Sequence, residues 1–164
     1  MKNNFLQNYN NQIIQNNHIS LIDWFCYNQK TELLAGQNRN YCNICKQLYD
    51  SNSTNKIFVS PNILVLILNR GKGNIYNIKL DFTETIDITQ FVLQKDNPQI
   101  IYNLYGVITD IGQSGANAHF VASCKYNKDN KWYRFNDSII NPITNFQKEV
   151  IDFGTPYILF YEKI

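Results

Sequence analysis

Two residues that could act as a base and its orienting partner, His119 and Asn136, flank a segment that reads as a β-hairpin. It runs His119-Phe-Val-Ala-Ser-Cys-Lys-Tyr126, then a polar stretch Asn127-Lys-Asp-Asn130, then Lys131-Trp-Tyr-Arg-Phe-Asn-Asp137. Two strand-like runs around a turn-forming cluster predict an antiparallel pair. If the turn centres between Asn127 and Lys128, His119 faces Asn136, Val121 faces Arg134 and Ser123 faces Trp132. Facing residues share one side of the sheet, with Cβ atoms about 4.5–5.5 Å apart. A slip of one residue would put them on opposite sides, so turn length decides the matter. An imidazole beside an amide suits cysteine-nucleophile chemistry. The imidazole stabilises a thiolate, and the amide oxygen fixes the tautomer and aims the ring. A lone histidine at a strand start is more often an ordinary polar residue, so the pair gains meaning only from its surroundings.

The second candidate is Cys42-Asn-Ile-Cys45. A closed structural zinc site needs four ligands, and this motif offers two. A redox pair would need a thioredoxin-like βα context, which the flanking sequence lacks. The residues alone leave open a zinc half-site and two unconnected thiols in a turn. Cys26 falls on a predicted helix, and Cys124 falls on the hairpin with the opposite facing to His119. Both are expected to be small buried residues.

The elements that must position these groups follow from patterning. Ser20 through Ala35 predicts a helix, with Ser20 as cap and Asp23 completing a capping box. Leu21, Trp24 and Phe25 fall on one face, Leu33 and Leu34 follow, and Gly36 is a plausible stop. From Lys56 onward the pattern turns to period two or to short apolar runs. Strands are expected near 56–60, 63–68, 75–82, 100–109, 118–126, 131–136 and 156–162. Gly71, Gly73, Pro98, Gly112 and Gly115 mark the breaks. The outline is one N-terminal helix feeding a mostly antiparallel sheet, an α+β domain over 18–164, preceded by an Asn/Gln-rich tail at 1–17.

Composition excludes several classes. Fifteen basic residues against 13 acidic give a net charge of +2, without a dense basic cluster. That balance argues against nucleic acid and anionic membranes as partners. No apolar run approaches the ~20 residues of a membrane helix, and no secretory leader pattern is visible. An intracellular location, cytoplasmic or nuclear, is the expectation, with the cysteines reduced.

The wider string carries a resemblance. Ser114-Gly115 precedes His119, Trp132-Tyr-Arg-Phe-Asn-Asp-Ser138 and Pro142 follow, and Pro156-Tyr-Ile-Leu-Phe-Tyr161 closes the chain. This order resembles the histidine box of ubiquitin-specific proteases. Upstream, Glu32-Leu-Leu-Ala-Gly36, Tyr41-Cys-Asn-Ile-Cys-Lys46 and Pro61-Asn-Ile-Leu-Val-Leu-Ile-Leu-Asn-Arg70 fall in that family's order too. The resemblance spans about residues 18 to 162. It implies a papain-like α+β fold, comprising the palm and part of the fingers. It implies His119 as general base, Asn136 as its orienter and Asp137 as an adjacent acid supporting catalytic polarity. Cys42 and Cys45 become half of a zinc ribbon, so that zinc is structural in the full domain and none is required for the chemistry. Ubiquitin and ubiquitinated proteins become the partners. The implied activity is a cysteine-type deubiquitinase, hydrolysing the bond after the ubiquitin C-terminal glycine.

Three departures qualify it. Ala118 stands where the family usually has Gly, and Arg70-Gly-Lys-Gly73 stands where Arg-Phe is commoner. None of the four cysteines sits in the family's Gly-x-x-Asn-x-x-x-Asn-x-Cys setting. The expectation is a base and orienter without a nucleophile, inactive as an isolated chain. The alternatives are an inactive remnant that binds ubiquitin or a partner, and an unrelated β-rich binding module.

Overall fold

The computed structural model describes residues 18–68, 70, 78–94, 98–112 and 117–164. The expected tail at 1–17, the first part of the strand near 75–82, and the breaks at Gly71, Gly73 and Gly115 lie outside the described residues.

The elements in chain order are β1 (His18–Ser20), α1 (Leu21–Asn28), β2 (Glu32–Leu34), β3 (Asn40–Cys42), β4 (Gln47–Tyr49), β5 (Ser51–Ser53), β6 (Ile57–Val59) and β7 (Ile63–Ile67). They continue with β8 (Lys79–Asp81), β9 (Thr85–Asp87), β10 (Val92–Gln94), β11 (Ile101–Asp110), β12 (Phe120–Lys125), β13 (Trp132–Asn136), β14 (Ile139–Pro142) and β15 (Thr155–Lys163). The main sheet has seven antiparallel strands, in the order β14-β13-β12-β11-β15-β7, with β9 added against β11. Two short parallel pairs, β1–β8 and β6–β10, sit beside it. Two small antiparallel pairs, β2–β5 and β3–β4, carry the Cys42–Cys45 turn.

α1 begins where expected. Ser20 accepts from the Asp23 N–H, and the Asp23 carboxylate accepts from the Ser20 N–H, which satisfies two of the free donors of the first turn. It ends at Asn28, seven residues before the predicted stop at Ala35. Gln29 turns away and donates from its side chain to the Phe91 carbonyl at 2.6 Å. Glu32–Leu34 then pairs with Ser51–Ser53 as a strand. The Leu33-Leu34 run looked like a helical face, yet Leu33 is 65% exposed. Pairing with β5 overrode the local pattern.

The core lies on one face of the main sheet. Tyr102, Leu104, Val107, Leu159 and Tyr161 are fully buried, and Leu21 and Phe25 of α1 cover them from above together with Ile88, Phe91 and Val92. Phe25 stacks on Phe91 with centroids 5.1 Å apart. Each such side chain contributes about 1.5–3 kcal/mol on burial. The Tyr161 hydroxyl donates to the Thr83 carbonyl at 2.8 Å, so that its polar tip is satisfied inside the core.

The opposite face is bare. Cross-strand register places Ile63, Val65 and Ile67, then Ile158 and Phe160, then Gly106 and Ile108 in one surface. It continues through Phe120, Ala122 and Cys124 to Tyr133, Phe135 and Ile140. Ile67 is 67% exposed and Ile140 59%, and Ile63, Val65, Phe120 and Phe135 are exposed as well. A solvated sheet face normally alternates to polar residues, and this one does not.

Candidate active site

The His119 hairpin forms from β12 and β13. Its register differs by two from the expected one: Ser123 lies opposite Arg134, not Trp132, and Lys125 lies opposite Trp132. The turn is centred one residue later than assumed. Tyr126 donates to the Lys131 carbonyl, Asn130 donates to the Tyr126 carbonyl, and Asn130 takes the left-handed conformation at φ 56°. Asp129 holds the exit by accepting from the Lys131 N–H at 3.0 Å. A shift of two preserves side-chain parity. His119 and Asn136 therefore stay on one face, as diagonal rather than facing neighbours, which long side chains can still bridge.

They do meet. His119 Nε2 lies 2.7 Å from Asn136 Oδ1. An amide oxygen only accepts, so Nε2 carries the proton and Nδ1 is left as the basic nitrogen. Both residues are half-buried. The strand that carries Asn136 is braced behind it. Trp132 packs on Phe146 with centroids 5.0 Å apart, and the Arg134 guanidinium sits 3.5 Å over the Phe153 ring while donating to the Glu149 carbonyl.

Asp137, the third expected residue, is not brought into this pair. It occupies the tight turn between β13 and β14 at φ 50°, a conformation Asp tolerates, and it is exposed. Among the described residues it makes no hydrogen bond to His119 or Asn136. Ala118 is not among the described residues with positive φ, so the Cβ in place of the family's glycine is accommodated.

One polar residue was not singled out in the sequence. Asp110, at the end of β11, is 3% exposed and accepts from the backbone N–H groups of Gly112 and His119 at 2.8 and 3.0 Å. The signal was available: an Asp two residues before a glycine at a strand end is an Asx-turn pattern.

The cysteines divide. Cys42 ends β3, and the Cys45 N–H points at its sulfur at 3.4 Å. That N–H, with the N–H of Ile44, holds the Cys42 thiol below its ordinary value. Thiolate is the metal-binding form of cysteine, and the turn offers two such sulfurs of the four that a tetrahedral site needs. Among the described residues no group of three or more candidate ligands gathers there. Cys26 is exposed, against expectation, because it lies on the solvent side of the short helix. Cys124 is half-buried on the bare sheet face, away from His119, and burial pushes its thiol up.

The α+β architecture and the His–Asn pair on a strand hairpin define the class as a papain-like fold. Solved structures agree. The chain superposes on the SAGA Ubp8/Sgf11/Sus1/Sgf73 DUB module bound to ubiquitin aldehyde with a TM-score of 0.69, at 24% identity over 90% of this chain and 35% of that one. A yeast SAGA DUBm structure gives 0.70, at 24% identity over 90% and 34%. The family model for ubiquitin carboxyl-terminal hydrolase matches residues 4–161, and the chain belongs to that family. Ubiquitin carboxyl-terminal hydrolase 16 of Arabidopsis thaliana is 32% identical over 82% of this chain and 13% of its own length. Ubiquitin carboxyl-terminal hydrolase 12 of Saccharomyces cerevisiae is 32% identical over 87% and 12%. The chain thus spans about an eighth of these curated relatives and about a third of the solved chains. No helix among the described residues is long and apolar enough to cross a membrane.

Proposed function

We propose that this chain is the base-bearing part of a cysteine-type deubiquitinase that hydrolyses the bond after the ubiquitin C-terminal glycine. The observation that carries the reading is the 2.7 Å bond from His119 Nε2–H to Asn136 Oδ1. It leaves Nδ1 free to take a thiol proton and return it to the leaving amine. The thiol comes from polypeptide outside this chain, because Cys124 points to the other sheet face and no cysteine hydrogen-bonds to His119 among the described residues. The bare apolar face supports the presence of further polypeptide packed on that side. Ubiquitin and ubiquitinated proteins are the partners, in an intracellular setting. Cys42 and Cys45 hold one half of a structural zinc site that a second cysteine pair completes, and zinc takes no part in bond cleavage.

The test is paired. The isolated chain should neither hydrolyse a ubiquitin C-terminal amide nor be labelled by a thiol-reactive ubiquitin probe, for want of a nucleophile. Joined to a polypeptide carrying the family's Cys box, it should do both. Labelling of the isolated chain at Cys26, Cys42, Cys45 or Cys124 would overturn the assignment of those thiols. A folded joined protein that binds ubiquitin without cleaving it would favour the inactive-remnant reading.

A further inference from the structure

We infer that Asp110 is a positioning residue for His119, which fixes the backbone of the base while Asn136 fixes the tip of its ring. The inference rests on the reading of His119 as the base.

The geometry begins at the end of β11. Asp110 pairs with Phe120 on one side and Thr155 on the other, so its backbone is held in the middle of the sheet. Its side chain turns into the connection that follows. Oδ1 accepts from Gly112 at 2.8 Å, closing an Asx turn, and from the His119 N–H at 3.0 Å, nine residues away. Ile111 donates to the His119 carbonyl at 2.9 Å. Both backbone groups of His119 are thus tied to Asp110 and its neighbour. The connection is closed tightly: a Cβ placed on Gly112 would lie 2.0 Å from the Asn117 carbonyl oxygen and 2.9 Å from the His119 nitrogen.

A carboxylate at 3% exposure is costly unless its oxygens are engaged. Two main-chain N–H groups engage Oδ1 here, and hydrogen bonds to an ionised carboxylate are roughly twice as strong as neutral ones. The carboxylate therefore anchors the residue that must be aimed. Asn136 alone cannot do this. One bond to Nε2 leaves the imidazole free to swing with its backbone, and a swing of about 1 Å at the base can cost on the order of 10²-fold in rate.

The experiment has two arms. In the first, the chain is labelled with 15N-histidine and the imidazole nitrogens are observed directly. The chain has two histidines, and His18, paired with Asp81 at 3.1 Å, serves as the internal control. His119 should show the Nε2–H tautomer in the wild type. Asp110→Ala should turn this into a tautomer mixture while the His18 signals stay fixed. Asp110→Asn, which keeps the acceptor geometry without the charge, should recover most of the wild-type pattern. A folded Asp110→Ala chain with unchanged His119 signals would sink the inference. Should Asp110→Ala not fold, Asp110→Ser is read by the same criterion.

In the second arm, the chain joined to the Cys-box polypeptide is assayed. Asp110→Ala should lower kcat on the order of 10²-fold with KM within about twofold, and Asp110→Asn should restore most of it. Equal loss in both variants, or a loss confined to KM, overturns the role. An inactive wild-type joined protein defeats the deubiquitinase reading and leaves the tautomer result standing. Unmoved His119 signals defeat the Asp110 assignment and leave that reading intact.

Discussion

Replacing Asn136 by Ala in the joined, active protein isolates the orienting half of the pair. The substitution removes the Oδ1 acceptor 2.7 Å from His119 Nε2 and touches nothing on the Nδ1 side. The bond runs from the imidazole to the amide oxygen. When the imidazole takes the thiol proton it becomes a bond to a cation, worth about 1.5–3 kcal/mol. Because the gain is realised during catalysis, it appears in kcat, as a loss of about 10- to 150-fold. KM should hold, since Asn136 orients the base rather than the substrate. His119→Ala removes the base itself, and should cut turnover by about 10²–10⁴-fold, to near background. The assay is steady-state cleavage of a fluorogenic ubiquitin amide by wild type, Asn136→Ala, Asn136→Asp and His119→Ala, with unfolding midpoints as the fold control. Asn136→Asp retains an acceptor and should lie between wild type and Asn136→Ala. The reasoning fails if Asn136→Ala matches wild type, or if it falls as far as His119→Ala.

Other outcomes test the frame around the pair. Gly154 has φ 60°, and a Cβ there would lie 2.6 Å from Thr109 Cγ2 and 2.9 Å from the Asp110 carbonyl oxygen. Gly154→Ala should therefore destabilise the chain by about 2–4 kcal/mol through left-handed strain plus overpacking, and an unshifted urea midpoint would refute that. Cys42, with its thiol lowered by the Cys45 and Ile44 N–H groups, and Cys124, raised by burial, should separate in alkylation. Scanning upward from about pH 6, Cys42 reaches its thiolate first and should be modified first by iodoacetamide, as read by mass spectrometry. Cys124 reacting earlier would contradict both assignments. The purified chain, with two of four ligands, should lose zinc on dialysis, and one tightly retained zinc per chain by elemental analysis would reveal ligands outside the Cys42–Cys45 turn.

What the sequence made legible follows from element length. β11, β12, β13 and β15 show alternation over five or more residues with one face buried, and each was placed to within about two residues. The strands of three residues were not legible, apart from β6 and β8. β1, β2, β3, β4, β5, β9 and β10 are too short to show a period, and β1 and β10 exist only through parallel partners distant in sequence. The hairpin register missed by two because Asn130 takes the left-handed conformation, which sequence permits and only the closed turn selects. His119 and Asn136 survived that error because parity, not register, decides whether two side chains share a face. Asp137 was named by resemblance as the acid next to Asn136, and it occupies the exposed turn after β13.

The run Ile63-Leu-Val-Leu-Ile67 holds a further lesson. It is apolar at every position, where a strand with one solvated face would alternate. Read physically, such a run belongs to a sheet covered on both sides. The structure covers one side: Leu64 and Leu66 face the core, while Ile63, Val65 and Ile67 face outward. Their neighbours across β15, β11, β12 and β13 repeat the pattern, so the bare face is a property of the whole sheet and not of one strand. Phe120 lies on this face directly after His119. His119, one residue earlier, shares the other face with Asn136 and Arg134, so a layer on the bare face packs on the side away from the base.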